Sequence, residues 1–105
     1  MTRRFRTELE ASAELGEAAL WYEKRRAGLG REFLHAVDAA LEFISRFPGA
    51  GTPCAGLPSE LAVRNVPVRQ FPFRIVYLEL ADEVIRILAF AHDRRSPGYW
   101  LSRAK

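Results

Sequence analysis

The sequence predicts an α+β fold: an N-terminal strand, an antiparallel helical hairpin, a three-stranded antiparallel run and a short C-terminal tail. The helices are expected on one face of the sheet. Two apolar patterns at helical spacing, separated by Gly28-Leu29-Gly30, predict the hairpin. Two β-branched and aromatic runs, Phe71 to Leu80 and Val84 to His92, flank the acidic break Ala81-Asp82-Glu83 and predict antiparallel strands. Each run is apolar on both faces, with Phe73, Ile75 and Tyr77 on one and Val76, Leu78 and Leu80 on the other. A sheet covered on one side only would alternate with polar residues. A second covering is therefore expected opposite the helices, and an outside partner is one candidate for it.

Taken in order, Phe5, Thr7 and Leu9 alternate with charged residues and predict a strand over Arg3 to Leu9. Ser12 is the expected N-cap of the first helix, with Glu14 and Glu17 where the helix dipole favours anions. Leu15, Ala18, Ala19 and Tyr22 form its apolar stripe, with Trp21 at the edge. The helix should run to Ala27 and stop at Gly28. Phe33, Val37, Ala40, Leu41 and Ile44 mark the second helix, which Pro48-Gly49 ends. Three glycines and two prolines between Gly49 and Pro58 argue against regular structure there. Strand character resumes over Glu60 to Val66. Pro97 and Gly98 interrupt the last strand's continuation. Tyr99 and Trp100 are thus expected to fold back against the sheet edge, bringing Arg94, Arg95 and Arg103 near one another.

At 105 residues the chain is expected to form one domain over residues 1–105, with a single modest core. No apolar run of about 18 residues predicts a membrane-spanning helix, and Met1 to Phe5 does not read as a signal peptide. The lone cysteine, Cys54, excludes an internal disulfide and suits a cytoplasmic location. Net charge is +3, and 14 of the 16 basic residues are arginine. A GC-rich coding preference explains that skew equally well, so basicity alone establishes no nucleic-acid partner.

Ordinary catalytic constellations are missing. His35, His92 and Cys54 are too scattered for a metal site, and His35 lies on a helix surface. No glycine loop followed by lysine precedes a helix, and no nucleotide or other cofactor is expected. Ser96 precedes Pro97 and has no acyl-transfer context, and Cys54 has no histidine nearby. What remains is Arg64, Arg69, Arg74, Arg86, Arg94, Arg95 and Arg103 around the sheet, with His92, Tyr99 and Trp100. As a cluster these suggest a surface for phosphates or an acidic protein.

Several phrases resemble one family. These are Trp21-Tyr22-Glu23, Phe33, Phe47-Pro48-Gly49, the run Phe71-Pro72-Phe73-Arg74-Ile75-Val76-Tyr77, and His92 through Arg103. They are similar to the ParE/RelE superfamily of type II toxin–antitoxin toxins, in its ParE-like "plasmid stabilisation" branch. The resemblance implies a cognate antitoxin encoded next to the toxin; which residues would contact it stays open. It also implies one of two activities: RelE-type members cut ribosome-bound mRNA, and ParE-type members inhibit DNA gyrase.

Cutting RNA by 2′-hydroxyl attack needs proton transfer and stabilisation of phosphorane charge. Arg74 and Tyr99 match the catalytic arginine and tail tyrosine of RelE-like enzymes, and His92 could substitute as base. Asn65 and Pro67 stand where those enzymes carry lysines, and Asp93 where they carry a basic tail residue. These departures favour a non-catalytic gyrase inhibitor, with Arg94, Arg95, Tyr99, Trp100 and Arg103 as target contacts. RNA binding belongs only to the mRNA-cleaving alternative. A decayed toxin that only binds antitoxin is the third reading.

Overall fold

The computed structural model describes residues 3–57, 61–81 and 83–104. Chain order is β1 (Arg4–Thr7), α1 (Leu9–Arg25), α2 (Leu29–Arg46), β2 (Thr52–Pro53), β3 (Val63–Val68), β4 (Phe73–Leu80) and β5 (Val84–His92). Short 3-10 turns lie at Pro48–Ala50 and Leu101–Ala104. The sheet order is β1-β5-β4-β3-β2, with β1 parallel to β5 and every other pairing antiparallel. The expected α+β class and helical hairpin are both present. The run of three strands is extended by β1 on one side and β2 on the other.

Helix α1 begins a turn before the expected Ser12 cap. Glu8 still donates its N–H to Ile87 O at 3.0 Å, as a strand residue would, yet its own carbonyl accepts the Ser12 N–H at 3.0 Å. Strand thus passes into helix with no loop between them, and Ser12 becomes the first residue to close a helical bond. The other end stops at Arg25 rather than Ala27, because Arg26 is extended (φ −159°, ψ 132°). Gly28 then sits at φ 89°, a left-handed conformation that only glycine adopts readily. The Glu23 carboxylate accepts the N–H groups of Gly28 and Gly30, satisfying donors that the start of α2 leaves without a helical partner. Burial at the helix crossing also requires Gly30 itself, since a Cβ there would stand 2.7 Å from Ala19 O.

The larger core lies between helices and sheet. Phe33, Val37, Ala40 and Ile44 of α2 and Ala11 and Tyr22 of α1 pack on Val66, Val68, Ile75, Tyr77, Ile85, Ile87 and Phe90. The face assignments of Phe73, Ile75 and Tyr77 against Val76 and Leu78 hold as expected. Strand β5 carries a bulge: Val76 opposes Ala89 while Tyr77 opposes Ile87, leaving Leu88 unmatched. That extra residue resets the alternation, so Leu88 and Ala89 both join the far-side cluster and Phe90 returns to the helical core.

The segment Gly49 to Pro58 is more ordered than its glycines and prolines suggest. Pro48–Ala50 forms a 3-10 turn held by Tyr77, whose hydroxyl donates to Pro48 O at 2.5 Å. Thr52–Pro53 then pairs with β3. The strand expected over Glu60 to Val66 is observed from Val63; its proposed start at Glu60 lies outside the described residues, as do Pro58 and Asp82.

The second covering belongs to the chain itself. Trp100 is 6% exposed and packs with Val63, Val76, Leu88 and Ala89, and Leu57, Leu61, Leu78, Tyr99 and Leu101 are among the partly buried residues around them. The tail therefore lies across the far face of the sheet, instead of resting against its edge, and an outside partner is not needed to cover these residues. Replacing Trp100 by alanine should cost about 3–5 kcal/mol, the usual range for deleting a buried aromatic ring. Urea unfolding of the variant against the parent chain measures this directly.

Candidate functional site

The tail residues singled out by sequence converge on a helix residue that the sequence did not single out for this role. Glu14 of α1 is 14% exposed and reaches past the edge of β5. One carboxylate oxygen accepts the Phe90 N–H at 3.1 Å and Arg103 Nη1 at 3.0 Å. The other accepts the Tyr99 hydroxyl at 2.6 Å and lies 3.8 Å from Arg95 Nη1. Arg103 Nη1 also donates to Leu88 O at 3.0 Å. Both guanidiniums stack on the Tyr99 ring, Arg95 at 3.7 Å and Arg103 at 5.2 Å from its centroid. A second clamp lies alongside. Arg86 binds Glu8 at 2.9 Å and donates to the carbonyls of Arg103 and Ala104.

Gly98, at φ 81°, supplies the reversal that turns the chain toward this clasp. The 3-10 turn that follows is anchored by Leu101 N–H to Gly98 O at 2.9 Å and Arg103 N–H to Trp100 O at 2.9 Å. Arg103 and Trp100 are thus held inward by packing and pairing. Arg94 differs: it is exposed, and among the described residues its guanidinium forms no ion pair. Arg95 is intermediate, half-exposed while stacked on Tyr99.

Between the tail and the β2–β3 segment lies a cleft of about 470 Å³. Arg74, His92, Arg95, Tyr99 and Trp100 all line it, together with Asn65, Asp93 and Cys54; Arg94 and Arg103 do not. The three residues named for RNA cleavage therefore share one cavity, but each is engaged elsewhere. Arg74 donates to Asn65 Oδ1 at 2.7 Å and has Asp93 Oδ1 3.8 Å from its Nε. His92 Nδ1 accepts the Arg94 N–H at 3.0 Å, so the neutral ring carries its proton on Nε2 and offers no lone pair there. Tyr99 gives its proton to the Glu14 bond, and burial followed by that carboxylate pushes its pKa well above the ordinary value. In this arrangement no group of the three is poised to take a proton from a hydroxyl.

Among the described residues, no group of three or more histidine, cysteine, aspartate or glutamate side chains is placed to hold a metal ion. None of the described helices is long and apolar enough to cross a membrane.

The family model for the ParE toxin of the type II toxin–antitoxin system parDE matches residues 5–97. The chain belongs to the ParE toxin family. Among solved structures it is similar to a chromosomal ParDE TA system from P. aeruginosa, with a TM-score of 0.60 and 17% identity. That alignment covers 87% of this chain and 96% of the other, and at such identity the likeness concerns the fold. No curated protein matches the chain. The ParE match takes in Arg74, His92, Arg94 and Arg95 and stops before Tyr99, Trp100 and Arg103. Those last residues rest on this chain's own geometry.

Glu14 and Glu8 were missed as tail anchors because their partners lie far along the chain. Nothing local signals that a helix glutamate will meet a tyrosine 85 residues later. Glu14→Gln removes the charge facing Arg103 and should lower stability by about 2 kcal/mol. Arg94→Glu should change it by less than about 0.5 kcal/mol, being exposed. Chemical denaturation of both variants tests the contrast.

The Arg86 hydrogen bond holds the Glu8 carboxyl below its ordinary pKa. Such a group adds stability above its unfolded-state pKa, and that contribution disappears as pH falls through the lower folded value. Stability should therefore decline with acidification below about pH 4.3, less steeply in Glu8→Gln than in the parent. Melting temperatures from pH 7 down to 2 measure the difference.

Proposed function

We propose that this chain is the toxin of a type II toxin–antitoxin pair, neutralised by a cognate antitoxin, and that it inhibits DNA gyrase without cutting RNA. The observation that carries the second half is the state of the cleft. Tyr99 is tied to Glu14, His92 Nδ1 is occupied by a backbone N–H, and Asp93 offsets Arg74. A ribonuclease must bind phosphate and move protons in that cavity. A protein inhibitor needs neither, only a complementary surface.

On this reading Arg94 and Arg95 contact an acidic region of the target, with the Tyr99–Trp100 tail as the platform that presents them. Arg103 then acts by holding the tail down. The antitoxin half is supported by family membership and by exposed apolar side chains on the helical hairpin, Leu9, Leu20, Trp21, Phe43 and Phe47. Such residues are costly to leave in water and suit a partner. The single cysteine and the family fit action in the cytoplasm, with plasmid stabilisation as the biological setting.

One observation favours the RelE-like reading: Arg74, His92 and Tyr99 line the same cleft. Purified protein separates the two. Supercoiling by gyrase should be inhibited while mRNA on translating ribosomes stays intact, and Arg94→Glu should weaken inhibition at least tenfold with little change in melting temperature, whereas Arg95→Glu also sets a carboxylate beside Glu14 and should lower the melting temperature. Ribosome-dependent mRNA cleavage that is lost in Arg74→Ala or Tyr99→Phe would establish the enzymatic reading instead.

A further inference from the structure

Three connections meet at one end of the sheet, and a cluster of rings holds them together. Phe71, in the β3–β4 turn, has its centroid 4.9 Å from the Tyr22 ring of α1 and 5.1 Å from the Phe33 ring of α2. Phe73 carries the cluster on to His92, at 5.1 Å, and Asp93 donates its N–H to Pro72 O at 2.8 Å. The α1–α2 turn, the β3–β4 turn and the end of β5 are therefore neighbours.

Each of the three carries exposed positive charge. Lys24 and Arg25 close α1, Arg26 follows, Arg31 lies in the first turn of α2, Arg69 in the β3–β4 turn and Arg94 just past β5. Over residues 22–33, 69–73 and 92–94 those six cations stand against three carboxylates, Glu23, Glu32 and Asp93. The excess of three equals the net charge of the whole chain, +3. The carboxylates are also occupied: Glu23 accepts the N–H groups of Gly28 and Gly30, Glu32 pairs with Arg26 at 3.1 Å, and Asp93 stands beside Arg74. Among the described residues, Lys24, Arg25, Arg31, Arg69 and Arg94 form no ion pair. Lys24 and Arg25 suit the negative end of α1, but Arg31 stands at the positive end of α2, where helix stability disfavours a cation.

A protein interface has an apolar centre from which charge is depleted. Here the rings are spent on one another, with Tyr22 and Phe33 buried and Phe71 and Phe73 half-buried. Single-stranded nucleic acid asks for free aromatic faces on which bases stack. Trp21, exposed beside this end, has the Arg25 guanidinium 4.4 Å from its ring centroid. What is left is positive charge spread over packed elements, which matches the backbone of a duplex. We infer that this basic end binds the phosphates of duplex DNA without reading their sequence. The choice of DNA over duplex RNA rests on the gyrase reading above, because supercoiling is done to duplex DNA. Arg94 lies in both proposed surfaces, so Arg31 and Arg69, which the target contact does not use, carry the test.

The experiment is fluorescence anisotropy of a labelled DNA duplex of about 20 base pairs and arbitrary sequence, titrated with the full-length chain over a salt series. Kd should fall in the range of about 1–100 μM near physiological salt. The logarithm of affinity should drop linearly with that of salt, with a slope of about −4.5 for five phosphate contacts. Arg31→Gln with Arg69→Gln should weaken binding about tenfold or more and make the slope shallower by about 2. Arg4→Gln with Arg6→Gln removes the same charge from β1, which pairs with the opposite end of β5. That control should change affinity by less than about threefold near physiological salt, where distant charges are screened. Neither pair should move the melting temperature, since all four side chains are exposed.

Equal weakening by the two pairs overturns the proposal, because net charge and not this end would then drive binding. So does displacement of the duplex by polyglutamate at equal charge concentration, which assigns the end to acidic proteins. Tighter binding of single-stranded or duplex RNA of the same sequence also overturns it. Absence of DNA binding does so too and leaves the gyrase reading standing, since supercoiling is assayed separately. DNA binding through Arg31 and Arg69 by a chain that leaves supercoiling untouched sustains this proposal and removes the gyrase reading.

Discussion

The Glu14 carboxylate is the constraint on which the placement of the tail depends. It projects from the helical layer, caps an N–H on the edge of β5, and fixes two side chains of the tail on the far side of the sheet. Three layers are thereby tied at one point. A mostly buried carboxylate would be costly alone, and it is tolerable here because strong donors converge on its oxygens. Arg103 is satisfied in turn by Glu14 and by Leu88 O. The charge is thus neutralised by a partner that also seals the edge.

This arrangement divides the arginines by task. Arg86 and Arg103 face inward and bind carboxylates and carbonyls, which suits the planar guanidinium fork better than a lysine ammonium. Arg3, Arg26 and Arg46 pair with glutamates nearer the surface, where such pairs contribute little. Arg4, Arg6 and Arg94 are exposed. The excess of arginine that first suggests one large binding surface therefore splits into an inward group that ties elements together and an outward group spread over separate places.

The elements were legible wherever periodicity is local. Phe33, Val37, Ala40 and Ile44 announced α2 and all are buried, and the two faces of β4 read directly from alternation. Three features were hidden for physical reasons. The α1 start depends on Glu8 belonging to strand and helix at once, which no side-chain cap marks. The β5 bulge is a register event between strands and leaves no mark in the Ile85–His92 run itself. The far-face cover required knowing that Trp100 turns back over Val76 and Leu88. Apolar residues on both faces signalled that a cover exists, and only the tertiary path shows that the chain supplies it. For the site, the clustering of Arg74, His92, Arg95 and Tyr99 could be anticipated, and the glutamate that organises the tail could not.

The same cavity can host different chemistries according to where its carboxylates point. A phosphate-handling cleft needs unspent positive charge and at least one group able to accept a proton. In this chain Asp93 stands 3.8 Å from Arg74, so the nearest anion to that guanidinium is already part of the protein. Glu14 likewise holds the Tyr99 hydroxyl as a donor and makes its ionisation harder. Neither acid is needed to build the sheet, which the apolar clusters already specify. Glu14 anchors the tail through Tyr99 and Arg103, and Asp93 lies beside Arg74. On the reading proposed above, the exposed Arg94 and Arg95 beside that anchor are the charges offered to a protein surface.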